Sequence, residues 1–140
     1  MQTHNDPKIG ERTLTYGGSA LKHHGAVPIH AIIYIGAEPC SMPVVFEREQ
    51  YSIRYALVSA RDRDAEEIYA VGTISAVIFS FLCNIREPET YVDKALRRMH
   101  ELTPGFWARV KAISILWVLL QLRDKSLRKM VKRKLSALYA

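Results

Sequence analysis

The chain is poor in cysteine. It holds only Cys40 and Cys83, far apart and without C-x-x-C spacing. That excludes a disulfide framework and a four-cysteine zinc site, and it reads as two reduced thiols in a cytoplasmic protein. No G-x-G-x-x-G, P-loop, H-E-x-x-H or G-x-S-x-G motif is present, so the familiar phosphate cradles, zinc hydrolase helices and serine nucleophile elbows are absent. There is no repeat and no low-complexity tract. A secretory signal is not visible either, because Asp6, Lys8, Glu11 and Arg12 interrupt the first residues. Only one long uncharged run occurs, from Ile68 to Ile85. Gly72, Thr73, Ser75, Ser80 and Asn84 make it too polar for a bilayer span, and no aromatic belt flanks it. It reads as a buried helix, and no membrane partner is expected.

What the chain does have is enough apolar sequence for one domain: 49% of its 140 residues are hydrophobic. The net charge is +6, and it is unevenly placed. Residues 123–140 carry Arg123, Lys125, Arg128, Lys129, Lys132, Arg133 and Lys134 against Asp124 alone, which accounts for the whole excess. A local basic cluster points to an anionic partner more directly than a high isoelectric point does. A solvated helix face explains it equally well.

The pattern along the chain predicts an α/β portion over residues 1–62, followed by a helical portion over residues 63–140 packed with it as one unit. Asn5-Asp6-Pro7 is a helix-start signal, and Gly25 stops the helix at about His24. Ile9, Thr13, Tyr16, Ala20 and His24 approximate its inner face. Gly17-Gly18 inside this helix suggests a backbone packed closely against it. Residues 27–35 read as a strand buried on both faces. Two more strands are expected over 44–46 and 51–60, the second with Tyr51, Ile53, Tyr55 and Leu57 alternating inward. Asp64 with Glu67 resembles a capping box. Helices should follow over 73–84, from Pro88, from a cap at Thr103-Pro104 with Phe106, Val110, Ile113, Leu116 and Leu120 inside, and from about Asp124.

Candidate chemistry is sparse. His23 and His24 are adjacent on a helix and diverge too far to chelate a metal well. His30 reads as a satisfied core histidine, and His4 and His100 lack spaced partners. Asp62, Asp64, Glu66 and Glu67 form an acidic cluster, with helix capping as the simpler account than a metal site.

Gln2, Asn5-Asp6-Pro7, Arg12-x-Leu14-x-Tyr16, and Val27-Pro28-Ile29 with Ile33-Tyr34-Ile35-Gly36 carry a resemblance. In order and spacing they resemble the recombination-promoting nuclease (transposase-like) family of the PD-(D/E)XK nuclease superfamily. Ala65-Glu66-Glu67 after Arg-Asp, and the helical tail, are similar too. The resemblance implies a partial PD-(D/E)XK-like sheet with a flanking helix, followed by an all-helical C-terminal half. It places Gln2 on the glutamine of the family's Glu-x-Gln motif, and Arg12 and Tyr16 on its motif helix.

Complete members hold Mg2+ with an aspartate and that glutamate, which the alignment puts before Met1. A neutral amide at Gln2 does not replace two anionic ligands. The resemblance therefore implies a truncated, catalytically incomplete chain that needs no cofactor of its own. Missing strands would leave the 27–35 strand with an open edge, so self-association or pairing with a full-length relative is expected, with a regulatory role. Two alternatives stand beside this. One is a DNA-binding module gripping phosphates through Lys125, Arg128, Lys129, Lys132 and Arg133. The other is an active nuclease completed by an upstream segment or another protomer.

Overall fold

The computed structural model describes residues 1–26 and 28–139, with Tyr51 described by its backbone alone. The architecture is mixed α/β. The chain divides into two compact units, Met1–Ser59 and Ala60–Ala140.

In the first unit α1 spans Ile9–His24, β1 Ala31–Tyr34, β2 Val45–Arg48, β3 Tyr51–Arg54 and β4 Ala56–Ser59. Helix α1 stops at Gly25, whose φ of 68° is the left-handed conformation that favours glycine, and Gly25 N–H closes onto the Leu21 carbonyl. Its start differs from expectation. The helix begins after Lys8 with no side-chain cap. Asn5 is used elsewhere: its amide donates to the Pro39 carbonyl, and its side-chain oxygen accepts from Ser41 N–H. Asp6 instead accepts from Lys8 N–H. The buried face also differs, for it is formed by Ile9, Gly10, Thr13 and Gly17, while Tyr16 is exposed.

The sheets are smaller than the apolar runs suggest. β1 pairs with β4 in parallel, and β2 pairs with β3 antiparallel. The expected strand over 27–35 is four residues long, and Val27 lies outside the described residues. It is not buried on both faces, since Ala31 and Ile33 are exposed. The expected strand over 51–60 is split at Tyr55. Tyr55 is buried, its N–H donates to the Val44 carbonyl and its hydroxyl to the Pro43 carbonyl. Those bonds turn the chain from one two-stranded sheet to the other. The inward alternation survives the break: Ile53, Tyr55 and Leu57 are more buried than Ser52, Arg54 and Ala56. Ile9, Tyr34, Met42 and Tyr55 form the core of this unit.

The second unit is helical: α2 (Ala65–Tyr69), α3 (Ile74–Ser80), α4 (Pro88–Leu102), α5 (Phe106–Leu120) and α6 (Lys125–Leu138). Three of these helices start at a side-chain cap, but Thr103-Pro104, expected to cap α5, does not: that helix begins after Gly105 with no side-chain cap, and the Thr103 hydroxyl donates to the Met99 carbonyl instead. Asp64 accepts from Glu66 N–H, Thr73 from Ala76 N–H and Asp124 from Leu127 N–H. The Asp64 bond goes to Glu66 and not to Glu67, so the cap is a single Asp bond, not a reciprocal box. α4 buries Tyr91, Val92, Ala95, Leu96 and Met99 on one stripe. Tyr91 anchors the centre, its hydroxyl lying 2.5 Å from Ser80 Oγ and 3.2 Å from the Ala65 carbonyl. α5 departs from expectation. Ala112, Leu116 and Leu120 are buried, but Phe106 and Val110 are exposed. Apolar residues surround this helix on every side, so sequence periodicity does not single out its packed face.

Candidate functional site

Gln2, Arg12 and Tyr16 meet in the first unit. A cleft of about 260 Å³ is lined by Gln2, Arg12, Tyr16 and His30, with Ile9, Thr13 and Ile32 among its walls. Gln2 is held by its backbone. Its N–H donates to the Ile33 carbonyl and its carbonyl accepts from Ile35 N–H, both at 2.8 Å, a parallel bridge to Tyr34. The edge of β1 opposite β4, expected to be open, is thus met by Gln2. Arg12 and Tyr16 are one helical turn apart on α1, so both side chains reach the same cleft. Thr13 lies between them, buried, its hydroxyl bonded to the Ile9 carbonyl at 2.7 Å.

Arg12 is oriented by Asp6, with Nη1 2.8 Å from Oδ2. The Arg12 guanidinium, and next the Lys8 N–H, hold the Asp6 carboxyl below its usual range. The Arg12 pKa is raised in turn, first by Asp6 and then by Tyr16. One Asp6 oxygen engages one terminal nitrogen, which leaves most of the five guanidinium donors for another acceptor.

His30 is the residue that sequence reasoning placed wrongly. It sits just before β1, its carbonyl accepting from Ala56 N–H at 3.0 Å. It is half-buried and lines the cleft. Its ring lies against α1 where Gly17 has no side chain; a Cβ there would be 2.9 Å from Nε2. The Gly17-Gly18 pair was the available signal, although what packs there is an imidazole and not a backbone. His30 Nε2 and Gln2 Nε2 are both buried without a hydrogen-bond partner among the described residues. Buried polar atoms are normally satisfied, so two unmet ones in one cleft mark a place where a polar ligand or water belongs.

The donor set is Arg12, the Gln2 amide, the Tyr16 hydroxyl and the His30 imidazole, and no carboxylate lines the cleft. It suits an anion such as a phosphate oxygen. It does not suit Mg2+, which needs anionic oxygen ligands. Two members of the acidic cluster are engaged otherwise. Asp64 pairs with Arg86 at 2.6 Å, and Glu66 with Lys94. Among the described residues no group of three or more His, Cys, Asp or Glu is placed to hold a metal ion. His23 and His24 are exposed in the last turn of α1.

The basic residues of α6 divide in two. Arg133 pairs with Glu89 at 2.8 Å, and Lys134 with Glu89 at 2.9 Å and Asp93 at 2.6 Å, fastening α6 to α4. Lys134, then Arg133, lower the Glu89 pKa. Arg128 donates to Gln121 Oε1 at 3.1 Å. Lys125, Lys129 and Lys132 are exposed, and none forms an ion pair among the described residues. No described helix is long and apolar enough to cross a membrane.

No family model matches the sequence, and no curated protein or solved structure is significantly similar to it.

Proposed function

We propose that the chain is a nucleic-acid-binding protein of the PD-(D/E)XK nuclease type that holds a backbone phosphate in the cleft of its first unit. The observation that carries this reading is the convergence of Gln2, Arg12, Tyr16 and His30 on one cleft, with a side-chain nitrogen of Gln2 and one of His30 buried and without a hydrogen-bond partner among the described residues. A parallel pair of short strands, a parallel bridge from Gln2 and a flanking helix support a partial sheet of that type. In complete family members Mg2+ supplies a polarised phosphodiester and an activated water. The residues lining this cleft do not fit that ion, so the chain binds without cutting. Cleavage would take carboxylates from another protein, and the chain acts as a regulatory partner of such an enzyme.

The test is fluorescence anisotropy with duplex and single-stranded DNA, alongside plasmid cleavage in Mg2+ or Mn2+. Binding that weakens in Arg12→Ala, with an intact plasmid, is the expected result. Metal-dependent cutting by the purified chain, abolished by Gln2→Ala, would overturn the binding-only reading.

A second reading rests on α6. Lys125, Lys129 and Lys132 recur at helical spacing with no acidic partner among the described residues, a face that neutralises phosphates without reading sequence. The two sites are separable, because a substitution in either leaves the other unit's residues intact.

A further inference from the structure

Helix α5 buries Ala112, Leu116 and Leu120, yet its opposite side is also apolar and lies open. Trp107 is 79% exposed, Phe106 69% and Val118 67%, with Val110 and Trp117 exposed beside them. Ser114 is exposed in the middle of this surface. At roughly 100° per residue these six positions fall within about 120° of arc, centred opposite Ala112. No charged residue falls inside the arc; Lys111 borders it, where a long side chain can reach water.

The positions are also symmetric along the helix. Residues 106 and 118, 107 and 117, and 110 and 114 are each equidistant from residue 112. A two-fold axis beside the open face, level with residue 112 and perpendicular to the helix, sets Phe106 at the height of Val118, Trp107 at that of Trp117 and Val110 at that of Ser114 of a second copy. Any arc centred opposite one residue has this symmetry; what the sequence adds is that all the positions but Ser114 are apolar, so an isologous contact sets apolar side chains against apolar ones at four of its six positions.

The area is adequate. At about 200 Å² per ring, the open parts of Phe106, Trp107 and Trp117 come to roughly 400 Å². A standard interface buries about 800 Å² per partner, a little over half of it apolar. One α5 face therefore supplies nearly the apolar share of one side, and a patch of that size marks an interaction site.

We propose that α5 is the self-association face of this chain and pairs antiparallel with α5 of a second copy. The pairing is independent of the nucleic-acid reading, since it uses none of its residues. Sedimentation equilibrium of the full chain tests it. The wild type should be dimeric at micromolar concentration. Trp107→Glu should weaken the dimer by at least about 30-fold, as loss of a central aromatic anchor does. Its far-ultraviolet circular dichroism should be unchanged, because Trp107 is exposed. Val71→Glu, which removes an equally open apolar side chain outside α5, should leave the dimer intact.

Register is read by oxidising mixed Val110→Cys and Ser114→Cys chains, each also carrying Cys40→Ser to remove the one partly exposed native thiol, which should cross-link as a mixture while neither does so alone. A wild-type monomer at roughly 100 µM would overturn the proposal, since a standard-size interface holds together well below that. So would a dimer that persists in both Trp107→Glu and Trp117→Glu, or cross-linking by Val110→Cys alone.

Discussion

Gly17 and His30 stand so close that a methyl group on the glycine would lie 2.9 Å from the imidazole Nε2. Its neighbour Gly18 faces open space, with nothing within 4 Å of the equivalent position. The pair therefore makes opposite predictions. Gly18→Ala should stabilise the first unit by about 0.5–1 kcal/mol, the helix-propensity gain of replacing a glycine. Gly17→Ala should gain less or lose, because the His30 ring must shift. It should also weaken DNA binding, whereas Gly18→Ala should not. Thermal unfolding and anisotropy of the two variants check both halves. Equal behaviour of the two would show that the His30 ring has no role in the cleft.

Arg12 is the only Lys or Arg side chain among the residues lining the cleft, so its removal should be the most damaging single change to phosphate binding. A charge-assisted hydrogen bond is worth roughly 1.5–3 kcal/mol, which predicts about a 10- to 100-fold loss of DNA affinity in Arg12→Ala. Arg12→Lys should recover only part of it, because an ammonium lacks the planar fork. Asp6→Asn removes the competing carboxylate and should leave binding equal or stronger. An Arg12→Ala chain that binds as the wild type does would remove the cleft from consideration.

Part of the candidate cleft could be read in advance, since the resemblance singled out Gln2, Arg12 and Tyr16. Arg12 and Tyr16 are spaced one turn apart, and such spacing puts two side chains on one side of a helix whatever the rest of the fold does. Gly25 marked the end of that helix correctly because only one conformation there closes the last turn. His30 was not legible. It lies in an apolar run that reads as a strand buried on both faces, and the short strand that forms leaves this residue at its mouth. The split at Tyr55 was hidden for a similar reason: alternation continues across it, and the turn depends on bonds to Pro43 and Val44 that no local pattern announces. The open face of α5 was missed because a helix apolar on all sides has no periodicity to read.

On α6, Lys125, Lys129 and Lys132 offer a clean electrostatic test, since replacing exposed, unpaired lysines removes charge without breaking an ion pair. If they contact phosphates, the triple change to Gln should lower the slope of log affinity against log salt by about 3. It should also weaken all duplex sequences equally. Arg133→Gln, by contrast, breaks the pair with Glu89 and should register mainly as a small loss of stability, within about 1 kcal/mol for so exposed a pair. An unchanged salt slope in the triple variant would leave α6 with a purely structural role.

The second unit should lose stability at alkaline pH. Burial pushes the Cys83 thiol up from 9.0 to about 11, against a smaller opposing effect of Arg123. Burial likewise pushes Tyr91 from 10.0 to about 12, with the Ser80 hydrogen bond acting the other way. Both groups are held neutral in the folded chain and ionise more readily once unfolded. Their stabilising contribution is therefore complete below the ordinary values and is lost as pH rises through the folded ones, a window from about pH 9 to about pH 12. The full loss is on the order of 2 kcal/mol for each group. Urea unfolding followed across that range should show the midpoint falling. Tyr91→Phe should flatten the upper part of the fall while costing about 1 kcal/mol at neutral pH, because Ser80 and Ala65 lose a hydrogen-bond partner. In the folded chain at pH 8 a thiol reagent should modify Cys40, which is partly exposed, and reach Cys83 only on unfolding. Rapid modification of both thiols, with a midpoint flat to pH 11, would mean that Cys83 is not enclosed as the packing of α3 requires.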